Sequence, residues 1–267
     1  MGFNQQIGMA AWAMKELHVP PQQAVDMIKR ASQSVSRREP GRGEIERWVN
    51  KVYQSTAKLK PYDQPKHGIK VEQKLIDEFS SRGSIKALQS KSSPIPMNAK
   101  RILCDLYHEN SLLHLTPHWA QPKEVKSVAE WTQQNLNDMQ FICPAHLKCR
   151  EMGRCIDNVD HRHYLVYESD RDGLASNWDG QAGCIERLAK DMHLRLIVYS
   201  GGKSLHAWFD ISTRRKDQVQ NFLGLCIQLG ADPAALRPAQ LVRMPWGIRR
   251  EAGKPTTKKQ KVIFYDN

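Results

Sequence analysis

No stretch of the 267 residues approaches the roughly 18 consecutive apolar positions that a spanning helix needs, so no transmembrane helix is expected. The opening segment, Met1–Met14, has neither a basic leader nor a long apolar core, and Gln6 breaks the myristoylation pattern that Gly2 opens. A cytoplasmic location without membrane association is the expectation. No segment recurs at intervals of 20 to 50 residues, which argues against solenoids and propellers. No G-x-x-x-x-G-K-S/T phosphate loop occurs, so the chain carries no helicase motor of its own. Acidic residues are also short in number: 28 Asp and Glu stand against 40 Lys and Arg, a net charge of +12. A surplus of that size suits a polyanionic partner. With 40% hydrophobic and 25% charged residues, the composition is that of a globular protein able to bury a core of its own.

The charge is unevenly spread. Residues 1–100 hold 17 basic against 9 acidic side chains, the middle of the chain turns slightly acidic, and Arg237–Lys261 carries eight basic residues with Glu251 as its only acid. A carboxylate-bearing region lies between two basic flanks, as a metal-holding site between surfaces that grip nucleic acid would. Each basic run taken alone also fits an ordinary solvated face. The six cysteines, Cys104, Cys143, Cys149, Cys155, Cys184 and Cys226, would be free thiols or metal ligands in a reducing compartment.

Apolar spacing predicts helices over residues 4–17, 21–35 and 44–54, a small helical module ending near residue 57. Residues 58–70, with two prolines, a glycine, four lysines and a histidine, read as a linker, and 58–98 as a whole as linker and helix, the helix spanning 71–88. A further helix covers 99–107. With that helix included, residues 99–267 read as one α+β domain. Strands at 163–169, 194–200, 205–211 and 260–265 alternate with helices at 178–192, capped by Ser176 or Asn177, and at 216–229, stopped by Gly230. The order β-α-β-β-α-β is that of a ferredoxin-like or RNA-recognition-like fold, whose first and third strands lie side by side in the middle of an antiparallel sheet.

Chemistry gathers on two of these strands. Glu168 and Asp170, two residues apart at a strand's end, place both carboxylates on one face, an arrangement that is costly unless a cation joins them. Oxygen-only ligation is what Mg²⁺ or Mn²⁺ prefers. The third strand is entered through Ser200-Gly201-Gly202-Lys203-Ser204-Leu205-His206, a glycine turn that frees backbone to approach a phosphate while Lys203 and His206 supply positive donors. Because those strands are neighbours, the turn is brought beside the acidic pair. A divalent site next to a phosphate-binding turn is what nucleotidyl transfer requires.

On these residues the chain resembles the catalytic domain of the archaeo-eukaryotic primase superfamily, in particular the primase-polymerases of plasmids, phages and other mobile elements. The acidic pair Glu168 and Asp170 matches the family's first motif, and Ser204-x-His206 after the glycine turn matches its second, with Lys203 where the family commonly has a basic residue. The third, a single downstream acid, is best matched by Asp232, followed by Arg243-Met244-Pro245, which resembles a family R-x-P stretch. Asp210 and Asp266 compete for that role, and Asp172 stands near enough to assist the first motif. The likeness covers residues 112–267. It implies that Glu168, Asp170 and Asp232 are catalytic and bind Mg²⁺ or Mn²⁺, that Ser200, Lys203, Ser204, His206 and Arg243 hold the nucleotide, and that the substrates are NTPs or dNTPs on a single-stranded DNA template, with a replicative helicase as partner.

Other signals compete for attention. Cys143, His146, Cys149 and Cys155 fall within thirteen residues and form a candidate zinc set, although clean C-x-x-C pairs are lacking. His161-Arg162-His163 with Tyr164 and Tyr167 invites comparison with rolling-circle nickases, but the central arginine breaks their His-hydrophobe-His pattern. Of Trp208 and Phe209, alternation puts one on each face of the strand, with core packing the simpler fate for both. The expected function is therefore a DNA primase or primase-polymerase, with a non-catalytic nucleic-acid-binding replication factor as the alternative.

Overall fold

The computed structural model describes residues 20–35, 45–46, 49–50, 68–119, 124–251 and 254–267, with the side chains of 32–35, 254–255 and 257 excepted. The chain divides into two compact units, residues 1–60 and 61–267. In the first, helix α1 (Pro21–Val35) has the expected bounds. Proline suits its first position, where a missing N–H costs nothing, and the Pro20 carbonyl accepts the opening bond from the Ala24 N–H at 3.0 Å. Ala24, Val25 and Ile28 are buried, as are the helical Ile45 and Val49, and Lys29 pairs with Glu46. The helix expected over 4–17 and the segment 58–67 lie outside the described residues.

The second unit is a mixed α+β structure built on antiparallel sheets. Its centre is a four-stranded sheet of β6 (Tyr164–Tyr167), β7 (His193–Tyr199), β8 (Leu205–Asp210) and β12 (Lys261–Tyr265), in the order β12-β7-β8-β6. Helices α6 (Trp178–Ala189) and α7 (Lys216–Gln228) join these strands in the anticipated β-α-β-β-α-β sequence. Asn177 caps α6, its side chain accepting from the Gly180 N–H at 2.9 Å. Gly230 ends α7's last turn with φ +82°, a conformation that favours glycine.

The strand order departs from the ferredoxin-like expectation. β6 and β8 are neighbours as anticipated, but β6 is an edge strand and β12 pairs with β7. The loop after α7 lies along the end of β6: the Tyr167 hydroxyl donates to the Leu229 carbonyl at 2.8 Å, Ser169 Oγ to that of Gly230 at 2.7 Å, and the Asp232 N–H to that of Glu168 at 2.8 Å. With this loop against it, the end of β6 is occupied, and the last strand returns at the opposite edge.

Both faces of the sheet are buried, and residue parity decides which core a side chain joins. Leu165, Tyr167, Ala207 and Phe209 pack with α6 and α7. Tyr164, Val166, Trp208 and Leu196 pack with helix α4 (Ala99–Leu106) and with β1 (Leu112–Thr116) of a second sheet. Trp208 and Phe209 thus both enter the core, on opposite faces. The second sheet has the order β5-β4-β1-β3-β9, with β2 (Val125–Ser127) on the free side of β1. Its other members are β3 (Phe141–Ile142), β4 (Ala145–Leu147), β5 (Val159–Arg162) and β9 (Val242–Arg243). β3 and β4 run as one strand along β1, interrupted at Cys143-Pro144, where proline has no N–H to donate. The short helix α5 (Val128–Trp131) follows β2, and a separate hairpin joins β10 (Ile248–Glu251) to β11 (Lys254–Lys259). Among the described residues no helix is long and apolar enough to cross a membrane.

The single helix expected over 71–88 is two, α2 (Gln73–Ser80) and α3 (Ile85–Gln89). The break has a packing cause. Gly83 sits directly on the backbone of α6 at Asp179 and Gly183, and Gly183 in turn meets the Phe79 carbonyl. Ser84 then starts α3 by accepting from the Ala87 N–H at 3.3 Å. Helix propensity alone would make Gly183→Ala stabilising by about 1 kcal/mol. Overlap of the new methyl with the Phe79 carbonyl opposes this, and overpacking of that kind costs about 1–3 kcal/mol. A lower urea midpoint for Gly183→Ala is expected; a raised one would show that α2 and α6 are not in backbone contact.

Candidate active site at the end of the four-stranded sheet

β6 and β8 pair with Tyr167 opposite Ala207, so one step further along the same register Glu168 stands opposite His206. Both belong to the even-numbered face of these strands, the face whose buried residues pack on the second sheet. Glu168 accepts a hydrogen bond from Ser204 Oγ at 3.1 Å, and its Oε1 lies 3.2 Å from His206 Nε2. Ser204 Oγ is also 3.4 Å from Ser200 Oγ and 3.5 Å from His206 Nε2. Ser200, Ser204, His206 and Glu168 therefore form one connected network, in which the expected neighbours Glu168 and His206 meet.

The glycine turn is held from both sides. Gly201 has φ +76°, and the Ser200 N–H donates to the Ser204 carbonyl at 3.0 Å, closing the hairpin. Behind it, Gln181 of α6 is fully buried and donates to the carbonyls of Leu174 and Lys203 at 2.8 and 2.9 Å while accepting from the Leu205 N–H at 2.7 Å. In front, a side chain on Gly202 would collide with the Arg249 guanidinium from the β10–β11 hairpin. Arg249 is a residue that the motif reading missed. The one signal for it is the basic run from Arg237 to Lys261, which in the sequence fits a nucleic-acid-gripping surface or a solvated face and singles out no residue.

Arg243 reaches the same place from β9. Its guanidinium lies 4.8 Å from the centre of the Phe141 ring on the paired strand β3. Burial, reinforced by the charge of Arg249, pulls its pKa down, while Glu168 and Asp170 oppose that shift. Burial would by itself raise the Glu168 pKa, but the charge and hydrogen bond of His206, the Ser204 hydroxyl and the charge of Arg243 outweigh it and hold the carboxyl at about 2. Lys203 and Asp170 are exposed beside this network.

The three acids expected to share a metal do not converge. Asp232 is adjacent to Glu168 through its backbone, yet its side chain accepts from the Ala234 N–H at 2.8 Å and so shapes its own turn. Among the described residues, the grouping of three potential ligands within reach of one ion is made of histidines, His146, His161 and His163. Glu168 and Asp170 still offer the hard oxygen donors that suit Mg²⁺ or Mn²⁺. Of the competing acids, Asp210 lies at the far end of β8, where it binds Ser212, and Asp266 pairs with His193 at 2.8 Å. Asp172 is exposed in the loop after Asp170.

The zinc set drawn from the cysteines is not assembled either. Cys143 is sealed in the core with its thiol 3.9 Å from the Pro238 carbonyl, and Cys149 meets Asn158 Oδ1 at 3.5 Å, while Cys155 opens a short 3-10 turn (Ile156–Asn158). His146 turns instead toward His161 and His163. Burial, aided by the neighbouring imidazoles, pulls the His146 pKa down to about 3 and that of His163 down as well. The nickase comparison fails at its nucleophile: Tyr164 and Tyr167 are buried, with their hydroxyls bound to the Leu106 and Leu229 carbonyls at 3.1 and 2.8 Å. Comparison with known proteins finds no matching family model, no matching curated protein and no matching solved structure.

The Glu168 network makes stability depend on pH in a defined direction. A carboxyl held below its unfolded value binds fewer protons in the folded chain, so its contribution is complete above about pH 4.5 and is lost as pH falls toward 2. The difference in urea midpoint between the wild type and Glu168→Gln should therefore shrink between pH 5 and pH 2. A constant difference across that window would mean that Glu168 titrates normally.

Proposed function

We propose that the chain is a template-directed nucleotidyltransferase of the primase-polymerase type, acting on single-stranded DNA with NTPs or dNTPs. The observation that carries this reading is the Glu168 carboxylate fixed between Ser204 and His206 on the adjoining strand, with Arg243 and Arg249 beside the glycine turn. A half-buried acid surrounded by donors suited to phosphate is of little use to a protein that only grips a polyanion. In this reading the turn at 200–204 and Lys203, His206, Arg243 and Arg249 orient the triphosphate. The 3′-hydroxyl of the growing strand attacks the α-phosphorus and gives its proton to solvent, the bond to the β-phosphate oxygen breaks, and pyrophosphate leaves. Glu168 and Asp170, joined by Asp232 if its turn opens, would hold Mg²⁺ or Mn²⁺, which supplies charge neutralisation at the reacting phosphates. The basic segment Arg237–Lys261 provides phosphate contacts for template, and a helicase on another chain would supply unwound strand.

One observation favours a second reading, a non-catalytic nucleic-acid-binding replication factor: the Asp232 carboxylate is committed to its own turn and the three acids stand apart. The two readings separate in one assay. The protein is incubated with single-stranded DNA, all NTPs and dNTPs, and Mg²⁺ or Mn²⁺, with and without an annealed primer. Synthesis by the wild type is expected, with Asp170→Ala inactive yet equal or better in DNA binding, since it loses a negative charge and no phosphate contact. Arg249→Ala should raise the nucleotide KM about tenfold, the usual effect of removing one charged hydrogen bond. No product under either metal, with DNA binding intact, would establish the binding factor.

A further inference from the structure

Three imidazoles that this chemistry leaves unused meet where the second sheet passes into the first. His146 on β4 and His161 on β5 are register partners, and their rings stack with centroids 4.1 Å apart and planes 19° from parallel. Two residues further, His163 returns to the same side, because the intervening Arg162 is turned inward to donate to the Leu236 carbonyl at 3.0 Å. The His163 ring centre lies 4.4 Å from that of His146 and 4.7 Å from that of His161. One ligand atom from each of the three lies within 4.8 Å of the others.

We propose that His146, His161 and His163 form a site for a single divalent transition-metal ion of the zinc class, with a fourth position open to solvent. His146 Nε2 and His163 Nδ1 are 3.2 Å apart. Two nitrogens bound to zinc at 2.0–2.1 Å and at the tetrahedral angle stand roughly 3.3 Å apart, so this edge of the coordination polyhedron already has its length. The outer shell is present too. Asp160 Oδ2 accepts from His161 Nδ1 at 2.8 Å, which fixes the tautomer, leaves Nε2 for the metal and adds a carboxylate behind the ligand. Imidazole donors select zinc, cobalt, nickel or copper and not magnesium. His146 is buried and His161 exposed, so the cluster is closed on one side and accessible on the other.

The site is distinct from the one around Glu168. The four residues of β6 separate His163 from Glu168, roughly 16 Å along an extended chain. Three bonds to one ion would tie the β4–β5 pair to the start of β6 and so hold the two sheets together at that end. The thiols stay out of it, for the reasons of packing already given. This inference stands on the geometry of the triad and not on the nucleotidyl-transfer reading.

The test uses the full chain and the metal alone. Dialysed against Zn²⁺ and then against buffer, the wild type should retain one equivalent. With Co²⁺ it should show visible d–d bands without the near-ultraviolet charge transfer that marks thiolate ligation. His161→Ala should abolish retention, Asp160→Ala should weaken it about 10–100-fold, and Cys149→Ala should leave it unchanged. His161 and Asp160 are both exposed, so these variants keep the fold, and circular dichroism verifies that they do. No retained metal in the wild type, equal retention in His161→Ala, or a thiolate band with cobalt would each overturn the proposal.

Discussion

The pairing of β6 with β8 is the constraint on which the second unit depends. Its register, Tyr164 opposite Asp210 through Tyr167 opposite Ala207, sends alternate residues into two different cores. The same alternation continues past the last core positions and places Glu168, Ser204 and His206 on one face. A slip of one residue would exchange the two cores and carry the acid away from its donors at once. The register is therefore fixed by apolar burial on both faces, and the polar network inherits a geometry that it did not have to create. Tyr167 and Ser169 add to this by binding the Leu229 and Gly230 carbonyls, which keeps the end of the edge strand in place while Glu168 points the other way.

Electrostatics then decides what that geometry can do. A carboxylate with only a fifth of its side chain exposed would ordinarily be driven toward its neutral form. Here His206, Ser204 and Arg243 reverse the direction, and the acid stays charged throughout the neutral range. The reverse holds for Arg243, where burial and Arg249 work against the charge and the two acids support it. Each group is tolerable because the other is present. At the glycine turn Lys203 is exposed and Arg249 is paired with Glu251 at 3.3 Å, whereas Glu168 is held by Ser204 and His206.

Much of the central sheet could be read in the sequence because its elements are long, regular and punctuated: Asn177 caps α6, Gly230 stops α7, and the glycine turn separates β7 from β8. That the glycine turn and His206 stand beside Glu168 follows from adjacency of two strands, which the β-α-β-β order already implied, whereas the hydroxyl bonds of Ser200 and Ser204 do not. What could not be read rests on contacts remote in sequence. The second sheet is made of strands two to five residues long, with histidines and a proline among them, and none carries a period of its own. The break at Gly83 is imposed by α6, a hundred residues away. The edge position of β6 depends on a loop that follows α7, and Arg249 reaches the turn only because a hairpin folds over it.

The histidines show why spacing misleads where topology decides. Cysteines at short intervals look like a ligand set, but between Cys143 and Cys155 the chain forms one strand and a turn, and the thiols of Cys143 and Cys149 are drawn to Pro238 and Asn158. Meanwhile His146 acquires partners fifteen and seventeen residues on, because β4 and β5 pair and β5 leads directly into β6. Arginine at position 162 broke the expected metal motif as a sequence pattern. In the fold it is the reason that the flanking histidines share a side, since its own inward turn forces them outward together. The two donor sets consequently stand at opposite ends of one short strand. Imidazole nitrogens lie at the end that joins the sheets, and carboxylate oxygens at the end that faces the glycine turn. Donor chemistry of such different hardness would keep ions at the two ends from competing, so a metal at the proposed histidine site would not take the place of a hard cation at the carboxylates.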